Sequence, residues 1–106
     1  MATADGTVVT SVEQLKTYIG KETRVGDWHT VTQEEINQFA DATGDHQWIH
    51  VDPERAKAGP FKGTIAHGFW TLSSAAFILR GGNGGEGITV RLPSRMGINY
   101  GLNKVR

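Results

Sequence analysis

The sequence predicts an α+β fold in which a sheet surrounds one central, almost wholly apolar helix. The stretch HGFWTLSSAAFILR at residues 67–80 is apolar nearly all round, and a helix without a polar face must be enclosed by other structure. At about 14 residues it is too short to cross a bilayer. The stretch RMGINYGLNKVR at 95–106 alternates large apolar with small or polar residues, which is typical of a strand. The stretch GITVRL at 87–92 is a further strand candidate.

The first part of the chain contains a helix and a strand after an unstructured start. Residues 1–10 are small and polar, and we expect them to be disordered. Residues 11–20 are predicted to form a short helix, because Ser11 and Gln14 have capping-box spacing. Residues 23–31 contain strand-forming side chains and predict a strand.

The clearest predicted helix begins after Thr32. This residue can accept from the helix backbone as an N-cap, and Glu35 follows at the spacing of a capping box. Gly44 is suited to end the helix. Between these limits an apolar stripe recurs at helical spacing, formed by Ile36, Phe39, Ala40 and Thr43.

A polar loop over residues 45–52 is predicted to join this helix to the next one. Asp52 is an expected N-cap, with Pro53 at the first helical position, where its missing N–H is not needed. The second helix is predicted to end near residues 58–60, where glycine and proline follow each other.

The strands of this sequence are too few for the predicted fold. Two strand candidates, or three with residues 87–92, cannot cover an apolar helix, and a two-stranded ribbon is not stable alone in water. The chain also stops within the last predicted strand. We therefore expect residues 1–106 to form a single domain that lacks its C-terminal strands, or that another chain completes.

Composition excludes several classes of protein. The 106 residues carry 11 basic and 11 acidic side chains without a basic run, so a nucleic-acid partner is not expected. The chain has no cysteine, which excludes disulfides, thiolate chemistry and cysteine-based zinc sites. No stretch resembles a signal peptide or a membrane span. We therefore expect a cytoplasmic protein without a membrane partner.

The stretch ATGDHQWIHVD at 42–52 concentrates acidic and imidazole groups, and three interpretations compete for it. In a structural interpretation these are turn and cap residues, and Asp52 fits that role best. In a metal interpretation, His46 and His50 lie four residues apart beside a carboxylate. In an acid–base interpretation, Asp45 and His50 converge on one water molecule, and the two groups differ in intrinsic pKa.

The stretch AHG at 66–68 begins the apolar helix and offers a site for an anion. The first N–H groups of a helix lack partners within it and lie at its positive end. Gly68 has no side chain to block a substrate oxygen, and one such donor in a dry site contributes about 3 kcal/mol to catalysis. His67 is interpreted as a packed or helix-start residue.

These stretches resemble a known enzyme family. FADATGDHQWIHVDPERA followed by GPFKGTIAHGFWTLS is similar to the MaoC-like dehydratases, or (R)-specific enoyl-CoA hydratases, over residues 24–106. The family motif is an aromatic residue, Gly-Asp-x-Asn-Pro-aliphatic-His, five residues and a small residue. It is matched here by Phe39, by Gly44, Asp45, His46, Gln47, Trp48, Ile49 and His50, and by Ala56.

The resemblance implies a hot-dog fold, in which an antiparallel sheet wraps a central helix, and a homodimer. It implies hydration of a trans-2-enoyl thioester to an (R)-3-hydroxyacyl thioester, or the reverse dehydration. Asp45 and His50 would activate the water, and the Gly68 N–H would hold the thioester oxygen. The substrate would be carried by coenzyme A or an acyl carrier protein, with no metal and no other cofactor.

The sequence departs from the family motif at two positions. Gln47 replaces asparagine and can still donate and accept, so we assign it a supporting role in substrate binding. Trp48 replaces proline, which changes the freedom of the loop backbone and is expected to narrow the substrate channel. Two other functions remain open, an acyl-CoA thioesterase on the same fold and a non-catalytic acyl-CoA binding subunit.

Overall fold

In the residues that the structure describes, the regular structure consists of one helix of 11 residues, several shorter helices and two-residue strands. The computed structural model describes residues 6–79 and 85–106. Residues 1–5 of the segment expected to be disordered, and residue 80 of the predicted central helix, lie outside the described residues. The elements in chain order are β1 (Val8–Val9), α1 (Val12–Lys16), β2 (Arg24–Val25), α2 (Gln33–Thr43), α3 (Trp48–Val51), α4 (Pro53–Lys57), α5 (Gly68–Ser73), α6 (Ala75–Leu79), β3 (Glu86–Gly87) and β4 (Thr89–Val90).

The described residues form two compact units, and the first contains all the strands listed above. It consists of residues 6–25 and 86–106. β1 pairs in parallel with β4, and β2 pairs antiparallel with β3. The described strands therefore form two separate pairs, one of them parallel, where the sequence predicted one antiparallel sheet. Val9 and Ile88 are the buried apolar residues of this unit.

Gly87 allows β3 to lie close to the strand beside it. Its φ of +147° lies in a region that side-chain-bearing residues rarely adopt. A Cβ at this position would collide with the carbonyl oxygen of Thr23 and with the backbone of Arg24. The next residue, Ile88, donates its N–H to the same Thr23 oxygen at 2.9 Å. Glycine is thus required where two backbones meet.

The N-terminal helix confirms its predicted cap, while the preceding segment differs from the prediction. The Ser11 hydroxyl accepts from the N–H of Gln14 at 3.1 Å. The regular helix covers only α1 and continues as turns. Val8 and Val9, expected to be disordered, form β1 because they gain backbone partners in β4.

The second unit, residues 26–79 with residue 85, contains the remaining helices. α2 has the predicted limits: the Thr32 hydroxyl accepts from the N–H of Glu35 at 3.2 Å. Gly44 ends the helix with a φ of +80°, and its N–H donates to Ala40. Such a left-handed C-cap is what glycine adopts at little cost. Ile36 and Ala40 form the buried part of the predicted stripe.

The loop predicted over residues 45–52 contains a helical turn. α3 occupies its second half, and the N–H of His50 donates to the Gln47 carbonyl at 2.9 Å. A short apolar run gives no clear periodicity, which is why this turn was not predicted. Asp52 has its predicted role, since its carboxylate accepts from the N–H of Arg55 at 3.1 Å and caps α4.

The apolar segment after His67 is not the single enclosed helix that the sequence predicted. It forms α5 and α6, separated at Ser74, whose hydroxyl donates to the Trp70 carbonyl at 2.8 Å. Such back-bonding serine residues bend helices. Phe69 is 75% exposed and Phe77 is 45% exposed, so the segment is not covered on all sides.

One predicted strand is wrong, and another is shorter than predicted. Residues 95–106, whose alternation predicted a strand, contain no regular structure, and Tyr100 is fully exposed. Alternating apolar and polar residues give a segment two different faces, but a strand also needs a neighbouring strand to accept its hydrogen bonds. Of residues 23–31, only β2 is a strand, and Trp28 is almost fully exposed.

In the part of the chain that the structure describes, no helix has the length and apolar character that crossing a membrane requires.

Candidate active site

His50 is buried on α3 and has a fixed tautomer. Its Nδ1 lies 2.7 Å from the carbonyl oxygen of Ile65. Because a carbonyl can only accept, Nδ1 must carry the proton of this hydrogen bond. In the neutral ring Nε2 therefore carries a lone pair and can accept a proton. The N–H of Ile65 also donates to the Ile49 carbonyl at 3.0 Å, which holds this segment beside α3.

Asp45 lies directly after the left-handed cap of α2 and is accessible to solvent. Its Oδ1 accepts from the backbone N–H of Gln47 at 3.3 Å, as in an Asx turn. Its backbone carbonyl accepts from Nε2 of His67 at 3.0 Å. The carboxylate is thus half-exposed, while one hydrogen bond holds its Oδ1 and another holds the backbone carbonyl of the same residue.

His67 is the residue immediately before α5, and its side chain is only 2% exposed. Its ring stacks on the ring of His50, with centroids 3.8 Å apart and planes 22° apart. The ring of Phe39 lies 4.9 Å away at a tilt of 57°. Nε2 donates to Asp45, while Nδ1 is buried without a hydrogen-bond partner.

Asp45, His50 and His67 converge on one point. One oxygen or nitrogen atom from each side chain lies within 4.8 Å of the others, and Oδ2 of Asp45 is 4.0 Å from Nε2 of His67. A water molecule with two hydrogen bonds of about 2.8 Å spans a similar distance. The predicted pairing of Asp45 with His50 is therefore geometrically possible in this structure.

The structure does not bring together the two histidines of the metal interpretation. His46, which that interpretation paired with His50, is exposed, and its Nε2 donates to the Asp41 carboxylate at 2.9 Å. It is not in the converging group. Within that group, the rings of His50 and His67 are stacked with their planes 22° apart, and Nδ1 of His50 is already used by the Ile65 carbonyl.

The other two predicted site residues flank this group. Gly68 is the first residue of α5, adjacent in the chain to His67, and nothing lies within 4 Å of the position that a Cβ would occupy. Its N–H is among those that a helix leaves without an internal partner. Gln47 is exposed, and its backbone supports Asp45 and His50 through the hydrogen bonds given above.

Trp48, the residue in the place of the motif proline, is used for packing. The guanidinium group of Arg55 lies 4.4 Å from its ring centroid, a cation–π contact. The edge of the indole lies against Gly59, where a Cβ would be 3.0 Å from the ring. The substitution therefore ties α3 to α4 and to the turn that follows.

Sequence reasoning missed Gln33, which connects three parts of the site. Its amide nitrogen donates to the carbonyl of His50 at 2.7 Å and to Asn37 at 2.9 Å. Its amide oxygen accepts from the hydroxyl of Thr64 at 2.6 Å. No pattern in the sequence links residues 31 positions apart, so only the fold could reveal this contact.

Electrostatic shifts occur at two ion pairs around the site. The hydrogen bond that His46 donates to the Asp41 carboxylate raises the pKa of His46 above its ordinary value of 6.5. Within α2, the hydrogen bond with His29 lowers the pKa of Glu35 below 4.5. His46 is exposed and Glu35 is partly exposed, so each ion pair is expected to contribute little to the free energy of unfolding.

Comparison with known proteins now identifies the family. The family profile described as "MaoC like domain" matches residues 14–106. The chain belongs to the MaoC-like domain family. This MaoC-like domain is 54% identical over 96 residues to the 3-hydroxyacyl-thioester dehydratase Z of Mycobacterium tuberculosis, and equally to that of Mycobacterium bovis. It is also 47% identical over 97 residues to nodulation protein N of Rhizobium leguminosarum bv. viciae.

These alignments cover most of the MaoC-like domain but only part of its relatives. They include 91% of this chain, 60% of each dehydratase and 57% of the nodulation protein. The family relationship confirms the resemblance that the motif indicated. It also agrees with the α+β class of the described elements.

Proposed function

We propose that the protein catalyses the hydration of a trans-2-enoyl thioester to a 3-hydroxyacyl thioester and the reverse dehydration. Two relatives carry the name 3-hydroxyacyl-thioester dehydratase, and this chain belongs to their family. The observation that carries the proposal is the convergence of Asp45 and His50 to within 4.8 Å, together with His67.

His50 is proposed to act as the base. Its Nδ1–H is used by the Ile65 carbonyl, so Nε2 is the nitrogen that accepts a proton from water. Asp45 orients the water through its carboxylate. As the proton leaves, the water oxygen forms a bond to C3 of the enoyl group, and the π electrons move toward the thioester carbonyl.

The resulting enolate oxygen is proposed to accept from the N–H of Gly68. A donor placed where charge develops lowers the barrier, by about 3 kcal/mol in comparable sites. The Asp45–His50 pair then delivers a proton to C2, which completes the addition of water. Dehydration follows the same steps in reverse, with His50 returning its proton to the leaving hydroxyl.

The finer features of the proposal follow the family resemblance. They are (R) stereochemistry at C3, a substrate carried by coenzyme A or an acyl carrier protein, and no metal or additional cofactor. They also include a homodimer, a cytoplasmic location and a hot-dog fold whose sheet covers the apolar segment of α5 and α6. The exposure of Phe69 and Phe77 is what supports a need for such cover.

Product analysis of the full-length protein tests the reaction. Incubation with crotonyl-CoA should reduce enoyl absorbance and yield 3-hydroxybutyryl-CoA, with the (R) enantiomer identified by chiral chromatography. Release of free CoA thiol without a hydroxylated product would favour the thioesterase alternative. Saturable binding of crotonyl-CoA without turnover would favour the non-catalytic subunit.

A further inference from the structure

We propose that His67 is a positioning residue that fixes both members of the Asp45–His50 pair. This inference rests on the proposed hydration reaction. From the sequence, His67 is interpreted as a packed or helix-start residue, and the family motif quoted above does not include it. The structure assigns His67 one contact to each residue of the pair, a hydrogen bond to the backbone of Asp45 and ring stacking on His50.

The first contact holds the backbone of Asp45. Nε2 of His67 donates to the Asp45 carbonyl at 3.0 Å from a nearly fully buried ring. The carboxylate itself is half-exposed, and its own local hydrogen bond to the Gln47 N–H is long, at 3.3 Å. The part-buried bond from His67 is the shorter of these two hydrogen bonds and helps to hold this loop after α2 ends.

The second contact sets the plane of the His50 ring. The hydrogen bond to the Ile65 carbonyl holds Nδ1, but one hydrogen bond still tolerates tilting of the ring plane. Stacking against His67 at 3.8 Å and 22° removes this freedom. Together the two contacts determine the direction of the Nε2 lone pair, on which proton transfer depends.

The remaining nitrogen of His67 distinguishes this role from simple packing. Nδ1 is buried without a hydrogen-bond partner, and burying such a group is unfavourable. A phenylalanine would fill the same space without that cost. What the imidazole supplies beyond a flat ring of this size is the Nε2–H donated to Asp45.

Two substitutions in the full-length protein separate these contributions. His67→Phe keeps a flat ring and removes the donor, while His67→Gln keeps an amide N–H and removes the ring. His46→Gln is the control, since His46 is a histidine next to Asp45 in the chain, but its side chain is exposed and contacts Asp41. Each is assayed for kcat and KM with crotonyl-CoA and for its thermal unfolding midpoint.

The positioning role predicts a selective loss of turnover. In His67→Phe, kcat should fall about ten- to a hundredfold, the range expected when reacting groups move by about 1 Å, while KM changes less than about twofold and the unfolding midpoint is not lowered. In His67→Gln, which retains the donor, kcat should recover in part. A kcat within twofold of wild type in His67→Phe would overturn the proposal.

Imidazole ¹⁵N shifts of the wild-type protein provide a readout that needs no substrate. His50 should carry its proton on Nδ1 and His67 on Nε2. A His67 proton on Nδ1 would overturn the proposal, because the donor to Asp45 would be missing. If the wild type does not hydrate crotonyl-CoA, the proposed reaction fails, and these tautomers still decide whether His67 makes the contacts described.

Discussion

The Nδ1–H of His50 donates to the carbonyl oxygen of Ile65 at 2.7 Å. This bond joins a residue inside the polar motif to the segment that leads into α5. It leaves Nε2 of the neutral ring as the proton acceptor. The proposed chemistry therefore depends on a contact between two stretches that are separate in sequence.

Replacing Gln33 should loosen this contact. Gln33→Ala removes the hydrogen bonds to the His50 carbonyl and to Thr64, and it leaves partly buried polar groups unpaired. The free energy of unfolding should fall by about 1–3 kcal/mol, as measured by urea denaturation. Gln38→Ala, at an exposed position of the same helix, is the control and should change stability by less than about 0.5 kcal/mol. Equal effects of the two substitutions would refute the role of Gln33.

Enlarging Gly59 should disturb the packing of Trp48. In Gly59→Ala the new methyl group would lie 3.0 Å from the indole, whose face is covered by Arg55. The free energy of unfolding should fall by about 1 kcal/mol, which is the low end of the range for overpacked cores. Gly63→Ala is the matched control, because nothing lies within 4 Å of its Cβ position.

A double substitution tests the cause of that loss. Trp48→Phe shortens the side chain, so Gly59→Ala should lower the free energy of unfolding less in the Trp48→Phe background than in the wild type. If the effects of the two substitutions on the free energy of unfolding are additive, a clash with the indole is not the cause of the loss.

The Asp41–His46 pair should make stability depend on pH. Asp41 raises the pKa of His46 above 6.5, so the pair contributes fully below the unfolded-state pKa and is lost as pH rises through the folded-state pKa. Asp41→Asn should therefore destabilise the protein at about pH 5.5 but not at about pH 9.

An NMR titration of the His46 ring checks this directly. Its midpoint should fall toward 6.5 in Asp41→Asn. It should remain unchanged in Glu34→Gln, at an exposed acidic position in the first turn of the same helix. A midpoint that does not move in Asp41→Asn would contradict the assignment of the shift to this hydrogen bond.

Local signals in the sequence predicted the helices around the site well. The caps at Thr32, Gly44 and Asp52 were all confirmed, because each acts through hydrogen bonds to residues a few positions away. The motif also led to Asp45 and His50, which the structure brings close together. Their catalytic roles remain predictions.

Features that depend on distant partners could not be predicted in this way. The stacking of His67 on His50 and the bonds of Gln33 need the fold to bring separate segments together. The alternation in residues 95–106 predicted a strand, but the structure places no regular element there. A strand forms only where a neighbour accepts its hydrogen bonds, and the pattern of one segment carries no information about that neighbour.

Turnover of crotonyl-CoA by Asp45→Asn and His50→Ala variants of the full-length protein tests the central claim most directly. Asp45 is half-exposed, so its replacement should leave the fold intact, and circular dichroism verifies this for both variants. We expect kcat to fall by about 10²- to 10⁴-fold, the usual contribution of a positioned acid or base. Turnover within about threefold of wild type in either folded variant would contradict the proposed mechanism.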